Sequence, residues 1–160
     1  MTIADMPAIK LSSPVNLRDL GGIPIDGGVL REGFVIRTDD LSITTVEPAG
    51  ALVDQGLRSI IDLRATLEIA VTGRGPFGDH SSVNYHHVPI HADMERTLAE
   101  AFDQASYGKV YERMMEDSAG QIVTALAIIA HAPGAVAFHC AAGQDSTGVL
   151  AAALLLALGA

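Results

Sequence analysis

A chain of 160 residues that is 49% hydrophobic and 18% charged is too apolar for disorder, and it is sized for one domain burying roughly two thirds of its unfolded surface. Ten basic against nineteen acidic residues leave a formal charge of −9, which disfavours nucleic acid and anionic membranes as partners; any anion it binds must be held by local contacts. One cysteine excludes an internal disulfide and, with no second thiol nearby, argues against structural zinc.

Residues 1–13 show no period and are expected to form a flexible lead-in, with 14–160 as the folded domain. The opening MTIADMPAIK lacks a basic stretch followed by an apolar one, so no signal peptide is expected and the cytoplasm is the expected compartment. Gly21-Gly22 and Asp26-Gly27-Gly28 signal turns around short strands. The first substantial strand is predicted over Gly33 to Arg37. Thr44 or Thr45 then caps a helix reaching Gln55, with Glu47 and Pro48 in its first turn and Gly56 as its stop. Arg58-Ser-Ile-Ile-Asp-Leu63 is apolar on both faces, as in an interior parallel strand, and ends at Asp62-Leu63-Arg64. Thr72 to Asp79 is rich in Gly and reads as a surface loop; Val83 to Ile90 reads as a strand with His86 and His87 on opposite faces.

From Met94 to Asp117 the pattern is helical, with a break expected near Ser106-Tyr107-Gly108; Met94, Met114 and Met115 give this stretch the character of a mobile cover, and ordinary helix packing explains them equally well. A helix over Ala119 to Ala132 leads through Pro133-Gly134 into a strand over Ala135 to His139, and the last helix is expected from Thr147 onward. The run Val149 to Ala160 is twelve residues, too short to cross a bilayer, and reads as a buried helix. This alternation predicts an α/β fold: a mostly parallel central sheet with helices on both faces and ligands beyond the carboxyl ends of the strands.

The turn His139-Cys140-Ala141-Ala142-Gly143-Gln144-Asp145-Ser146-Thr147-Gly148 stands at such an end. A buried strand, a turn of small residues and an apolar helix opening on Thr-Gly make a backbone nest whose N–H groups converge at a positive helix end. A cysteine at its mouth is favoured as thiolate, the nucleophilic form. Asp145 can face the same point as a general acid, and the hydroxyl of Ser146 or Thr147 can hydrogen-bond the sulfur.

Four stretches carry a family resemblance: Asn16-Leu-Arg-Asp-Leu-Gly-Gly22, Val35-Ile-Arg-Thr-Asp39, Gly56-Leu-Arg-Ser-Ile-Ile-Asp-Leu-Arg64, and Phe138 to Gly148. In this order they resemble the bacterial and fungal tyrosine-phosphatase-like family, whose loop reads His-Cys-x-x-Gly-Lys-Asp-Arg-Thr-Gly. The resemblance implies the cysteine-phosphatase fold, Cys140 as the nucleophile that attacks phosphorus, and Asp145 as the acid that protonates the leaving oxygen. It also implies that His139 orients the loop and that Ala141, Ala142, Gly143, Gln144, Ser146, Thr147 and Gly148 bind the ligand. Family members continue with further helices, so either a missing C-terminal segment or a second copy is expected to cover Val149 to Leu158.

The chain departs from that pattern at two positions: Ser146 stands where the family has arginine and Gln144 where it has lysine. A serine cannot replace the bidentate arginine fork, and comparable arginine contacts are worth about 10³–10⁵ in phosphoryl-transfer rate. Arg18, Arg37 and Arg64, at turns or strand ends, are the candidates to reach in and line the pocket, and Asp62 is expected to pair with an arginine or with loop amides. Three readings follow: a weak or atypical phosphatase-like hydrolase, an enzyme of the same fold redirected to a less charged substrate, and an anion- or partner-binding pseudophosphatase. The expected ligand is a small molecule or phosphorylated group in the Cys140 loop. No cofactor or metal is expected, and His86, His87 and His91 read as pocket-rim or solvent-facing residues.

Overall fold

The computed structural model describes residues 14–91 and 104–160, with side chains from 107 onward in the second segment. In chain order the strands are β1 (Arg18–Asp19), β2 (Pro24–Ile25), β3 (Gly28–Val29), β4 (Val35–Thr38), β5 (Leu57–Asp62), β6 (Asn84–His87) and β7 (Ala135–His139). The helices are α1 (Val46–Asp54), α2 (Thr66–Thr72), α3 (Gln104–Asp117), α4 (Ala119–His131) and α5 (Asp145–Ala157). The main sheet has the order β1-β4-β7-β5-β6, with every pairing parallel except β1 against β4, while β2 and β3 form a separate hairpin.

The central strand β7 follows directly from composition: Ala-Val-Ala-Phe-His is buried at all five positions, as an interior parallel strand with helices on both faces must be. Its alternating side chains feed two cores. Val136 and Phe138 pack with Ile61, Met114, Ile122, Ile129, Val149 and Leu150 beneath α3, α4 and α5. Ala137 packs on the other side with Leu41, Ala49, Val53, Ile60 and Phe77 beneath α1. Burying each such side chain is worth about 1.5–3 kcal/mol, so the sheet is clamped from both faces. Among the described residues no helix is long and apolar enough to cross a membrane.

Several expectations need correction. The stretch Thr72 to Asp79 is not a simple surface loop: a 3-10 turn at Gly75–Phe77 drives Phe77 into the α1-side core, and the preceding residues form α2. Helix α3 runs unbroken through 106–108, because a glycine inside a helix costs only about 1 kcal/mol. Met114 lies in the core and Met115 packs against it, so these two serve packing rather than a cover; Met94 lies outside the described residues. The last helix begins at Asp145, two residues earlier than expected, since an acidic residue in the first turn complements the helix dipole. That start places Asp145 and Ser146 on a helix rather than in a loop.

Candidate active site

The site lies where β7 ends and α5 begins. His139 closes the strand, Cys140 follows it, and residues 141–144 turn the chain into the helix. Gly143 has φ +66, and a Cβ there would lie 2.6 Å from the Thr38 carbonyl oxygen and 2.7 Å from the Asp39 nitrogen, so the loop can seat against the end of β4 only with glycine at this point.

Cys140 is half-buried, and Thr147 Oγ1 donates to its Sγ at 3.2 Å. Of the two hydroxyls expected to serve the sulfur, Thr147 does so; Ser146 Oγ instead donates to the Ile90 carbonyl at 2.8 Å, away from the loop. Ser146 therefore ties α5 to the segment after β6. The difference arises because a helical start at Asp145 sends side chains 146 and 147 in directions about 100° apart.

Asp145 is exposed, and Tyr111 on α3 donates to its Oδ1 at 2.7 Å. That hydrogen bond, with some burial, pushes the Tyr111 hydroxyl up to about 12, so it stays a donor at neutral pH. Nothing in the sequence marked Tyr111, because its partner lies 34 residues away on another helix.

The three candidate arginines part company. Arg64 is 2% exposed and fully engaged: Nε and Nη2 donate to Asp62, Nη1 to Asp40, Ser42 and Thr72, and Nη2 also to the Gly73 carbonyl. It is a structural pin and offers no guanidinium to the loop. Burial works against its charge, but Asp62 and Asp40 more than compensate and hold it well above the usual arginine range. Burial likewise opposes the charge of Asp62, yet Arg64, His139 and Tyr85 together depress its carboxyl. Tyr85 donates a very short hydrogen bond to Asp62, and burial and that bond raise its hydroxyl.

Arg37 approaches the loop itself. Its Nη2 donates to the Gly143 carbonyl at 2.9 Å and lies 3.9 Å from where a Cβ on Gly148 would stand. Its Nε is buried without a hydrogen-bond partner. Burial lowers its pKa, Arg18 across the strand pair lowers it further, and the neighbouring Cys140 sulfur opposes both. Arg18 is exposed, directly opposite Arg37 in the β1–β4 register, and its guanidinium has no hydrogen bond or ion pair among the described residues.

His139 is buried, which lowers its pKa and keeps the ring neutral. Depending on the tautomer, its Nδ1 either accepts from the Leu41 N–H at 3.5 Å or donates to the Cys140 carbonyl at 3.2 Å, and either contact braces the loop entrance; among the described residues Nε2 has no hydrogen-bond partner and lies 3.7 Å from Asp62. Ala141, Ala142 and Gln144 are exposed at the loop rim, Gln144 caps α5, and Gly148 N–H donates to the Gln144 carbonyl at 2.7 Å.

The Asn-Leu-Arg-Asp stretch supplies more than Arg18. Asn16 Nδ2 donates to the carbonyls of Ala142 and Gly143, and Asp39 accepts from the backbone N–H groups of Val15 and Asn16. Asp19 accepts from the Gly21 and Gly33 amides and so fixes turns. His87 Nε2 donates to the Arg64 carbonyl, while His86 faces a groove of about 380 Å³ shared with His131 and Asn84 near the opposite ends of the strands. Among the described residues no three His, Cys, Asp or Glu side chains converge as metal ligands.

A model of the tyrosine phosphatase family matches residues 9–160. No curated protein matches the chain. Among solved structures, the crystal structure of P. aeruginosa TpbA in complex with pTyr is similar at 15% identity and a TM-score of 0.39, over 78% of this chain and 59% of that one. The chain thus spans less than two thirds of the length of that relative.

Proposed function

The chain belongs to the tyrosine phosphatase family, and from that premise we propose that residues 14–160 form a cysteine-dependent hydrolase of phosphate monoesters whose turnover is weak because its loop lacks an arginine. The observation that carries this reading is Cys140 at the mouth of the loop with Thr147 Oγ1 donating to its sulfur, an arrangement that holds the sulfur where a nucleophile is needed.

In the first step the Cys140 sulfur attacks phosphorus, an S–P bond forms, and the ester P–O bond breaks. Asp145 gives its proton to the departing oxygen, with Tyr111 holding Oδ1 so that Oδ2 carries the proton. In the second step water attacks phosphorus, the resulting Asp145 carboxylate accepts its proton, the S–P bond breaks and orthophosphate leaves. The phosphoryl oxygens rest on the N–H groups of the loop and of the first residues of α5, ahead of Gly148, whose N–H is taken by the Gln144 carbonyl. Arg37 supplies the nearest positive charge, from the β4 side, in place of the fork that Ser146 cannot provide.

A second reading is favoured by one observation: Ser146 is turned to the Ile90 carbonyl, so position 146 contributes nothing to a dianion. The nest could then serve as an oxyanion hole for a less charged substrate, or bind a phosphorylated partner without turnover. The deciding measurement is phosphate release from a small aryl phosphate by the wild type and by Cys140→Ser. Release that disappears with Cys140→Ser supports the hydrolase. Absent release from the wild type, with inorganic phosphate still bound, overturns it in favour of the binding protein.

A further inference from the structure

Three consecutive carbonyls of the loop are held from outside it. The Ala141 carbonyl accepts from the Asp40 N–H at 3.2 Å, the Ala142 carbonyl from Asn16 Nδ2 at 3.0 Å, and the Gly143 carbonyl from Arg37 Nη2 at 2.9 Å and Asn16 Nδ2 at 3.3 Å. In a planar trans peptide the C=O and the following N–H point in opposite directions. Drawing these three carbonyls outward therefore turns the N–H groups of Ala142, Gly143 and Gln144 inward, toward one point.

Asn16 is itself fixed for this purpose. The buried Asp39 carboxylate accepts from the Val15 and Asn16 N–H groups at 3.1 Å each, which sets the backbone from which the carboxamide reaches the loop. A carboxamide has two N–H donors on one nitrogen, enough for both of its loop carbonyls. The free energy of orienting the amides is thereby spent on folding rather than on binding, which is what preorganisation requires.

We propose that Asn16 is a positioning residue that, together with Arg37, sets the loop amides for a tetrahedral oxyanion and so preserves anion affinity in a loop without its own arginine. This rests on the reading of the loop as the phosphate site given above, although binding can be measured without turnover.

The test is a titration of inorganic phosphate into the nitrogen-15-labelled full chain, following the amides of Ala142, Gly143 and Gln144, for the wild type and Asn16→Ala. Loss of two hydrogen bonds predicts affinity weaker by about 30-fold, with the three amide responses shrinking together. An affinity within about twofold of the wild type, the range of a neutral surface change, overturns the proposal. So does a wild type whose three amides do not respond to phosphate. Should Asn16→Ala fail to fold, Asn16→Leu serves in its place, since it keeps the size of the side chain but has no N–H to give the Ala142 and Gly143 carbonyls, and the same two outcomes apply. If phosphate binds and depends on Asn16 while aryl phosphate is not turned over, the hydrolase reading falls and the positioning role of Asn16 stands.

Discussion

Arg64 and Arg37 both stand near the ends of parallel strands, yet they live in opposite electrostatic circumstances. Arg64 is enclosed by Asp62, Asp40, two hydroxyls and a carbonyl, with its charge repaid on every side. Among the described residues Arg37 donates to one carbonyl and keeps a buried Nε without a partner, and it faces Arg18 across the strand pair. Like charges directly opposite in a sheet destabilise it. The contrast teaches that the compensated cation holds the ends of the sheet together, whereas the uncompensated one is poised beside the thiol, where an anion would complete its surroundings.

The sharpest way to press this comparison is to return a fork to the loop. Ser146→Arg with Gln144→Lys is expected to raise the rate of phosphate release from an aryl phosphate by about 10³ or more, measured as kcat/KM. An unchanged rate would show that Arg37 already supplies the charge.

Next in size is the compensated side. Asp62→Ala leaves the Arg64 guanidinium buried against a missing partner and is expected to cost about 3–5 kcal/mol in urea unfolding. Arg37→Ala, by contrast, is expected to cost only about 1 kcal/mol of stability, the worth of one hydrogen bond, while lowering kcat/KM about 10²-fold. If the stability losses were reversed, the division of labour between the two arginines would be wrong. Smaller again is Thr147→Val, which removes the hydroxyl from Cys140 and is expected to slow alkylation of the thiol and phosphate release about tenfold, with the melting temperature little changed.

The smallest effect is in the pH dependence of stability. The folded state lowers the pKa of His139, so the unfolded chain binds its proton first; stability is full above about pH 6.5 and declines as pH falls below it. Asp62 is also depressed, so its contribution is present above about pH 4 and is lost at more acidic pH, in a second step. Thermal unfolding against pH should show both steps, and His139→Gln should remove the first and shrink the second, since His139 helps depress Asp62.

Strand β7 was legible to the residue because Ala-Val-Ala-Phe-His is uniformly apolar before its histidine and bounded by Pro-Gly and Cys, and the loop was legible because its chemistry is local. Cys140 and Thr147 lie seven residues apart, within one turn and one helix start. The roles of the arginines were hidden, since they depend on partners from separate segments: Arg64 on Asp40 and Thr72, Arg37 on Gly143. Asn16 was quoted in a motif without a role because the carbonyl it serves is 126 residues away. Helix α2 escaped because it buries no residue and so has no apolar period to announce it. Ser146 misled for a different reason: its hydroxyl suited the sulfur chemically, and only the early start of α5 sends it elsewhere.

The seat of Gly143 against Thr38 and Asp39 has a further consequence. Because that contact is backbone on backbone, with no side chain between to yield, the loop cannot swing without dragging the end of β4 and its neighbours along. On the proposed reading of the loop as an anion site, the cradle is a cast mould rather than a jaw. Whatever selectivity the protein has between ligands must then come from the walls around the mould, and exchanging those walls should retune its preference while leaving the grip on the bare oxyanion as it was.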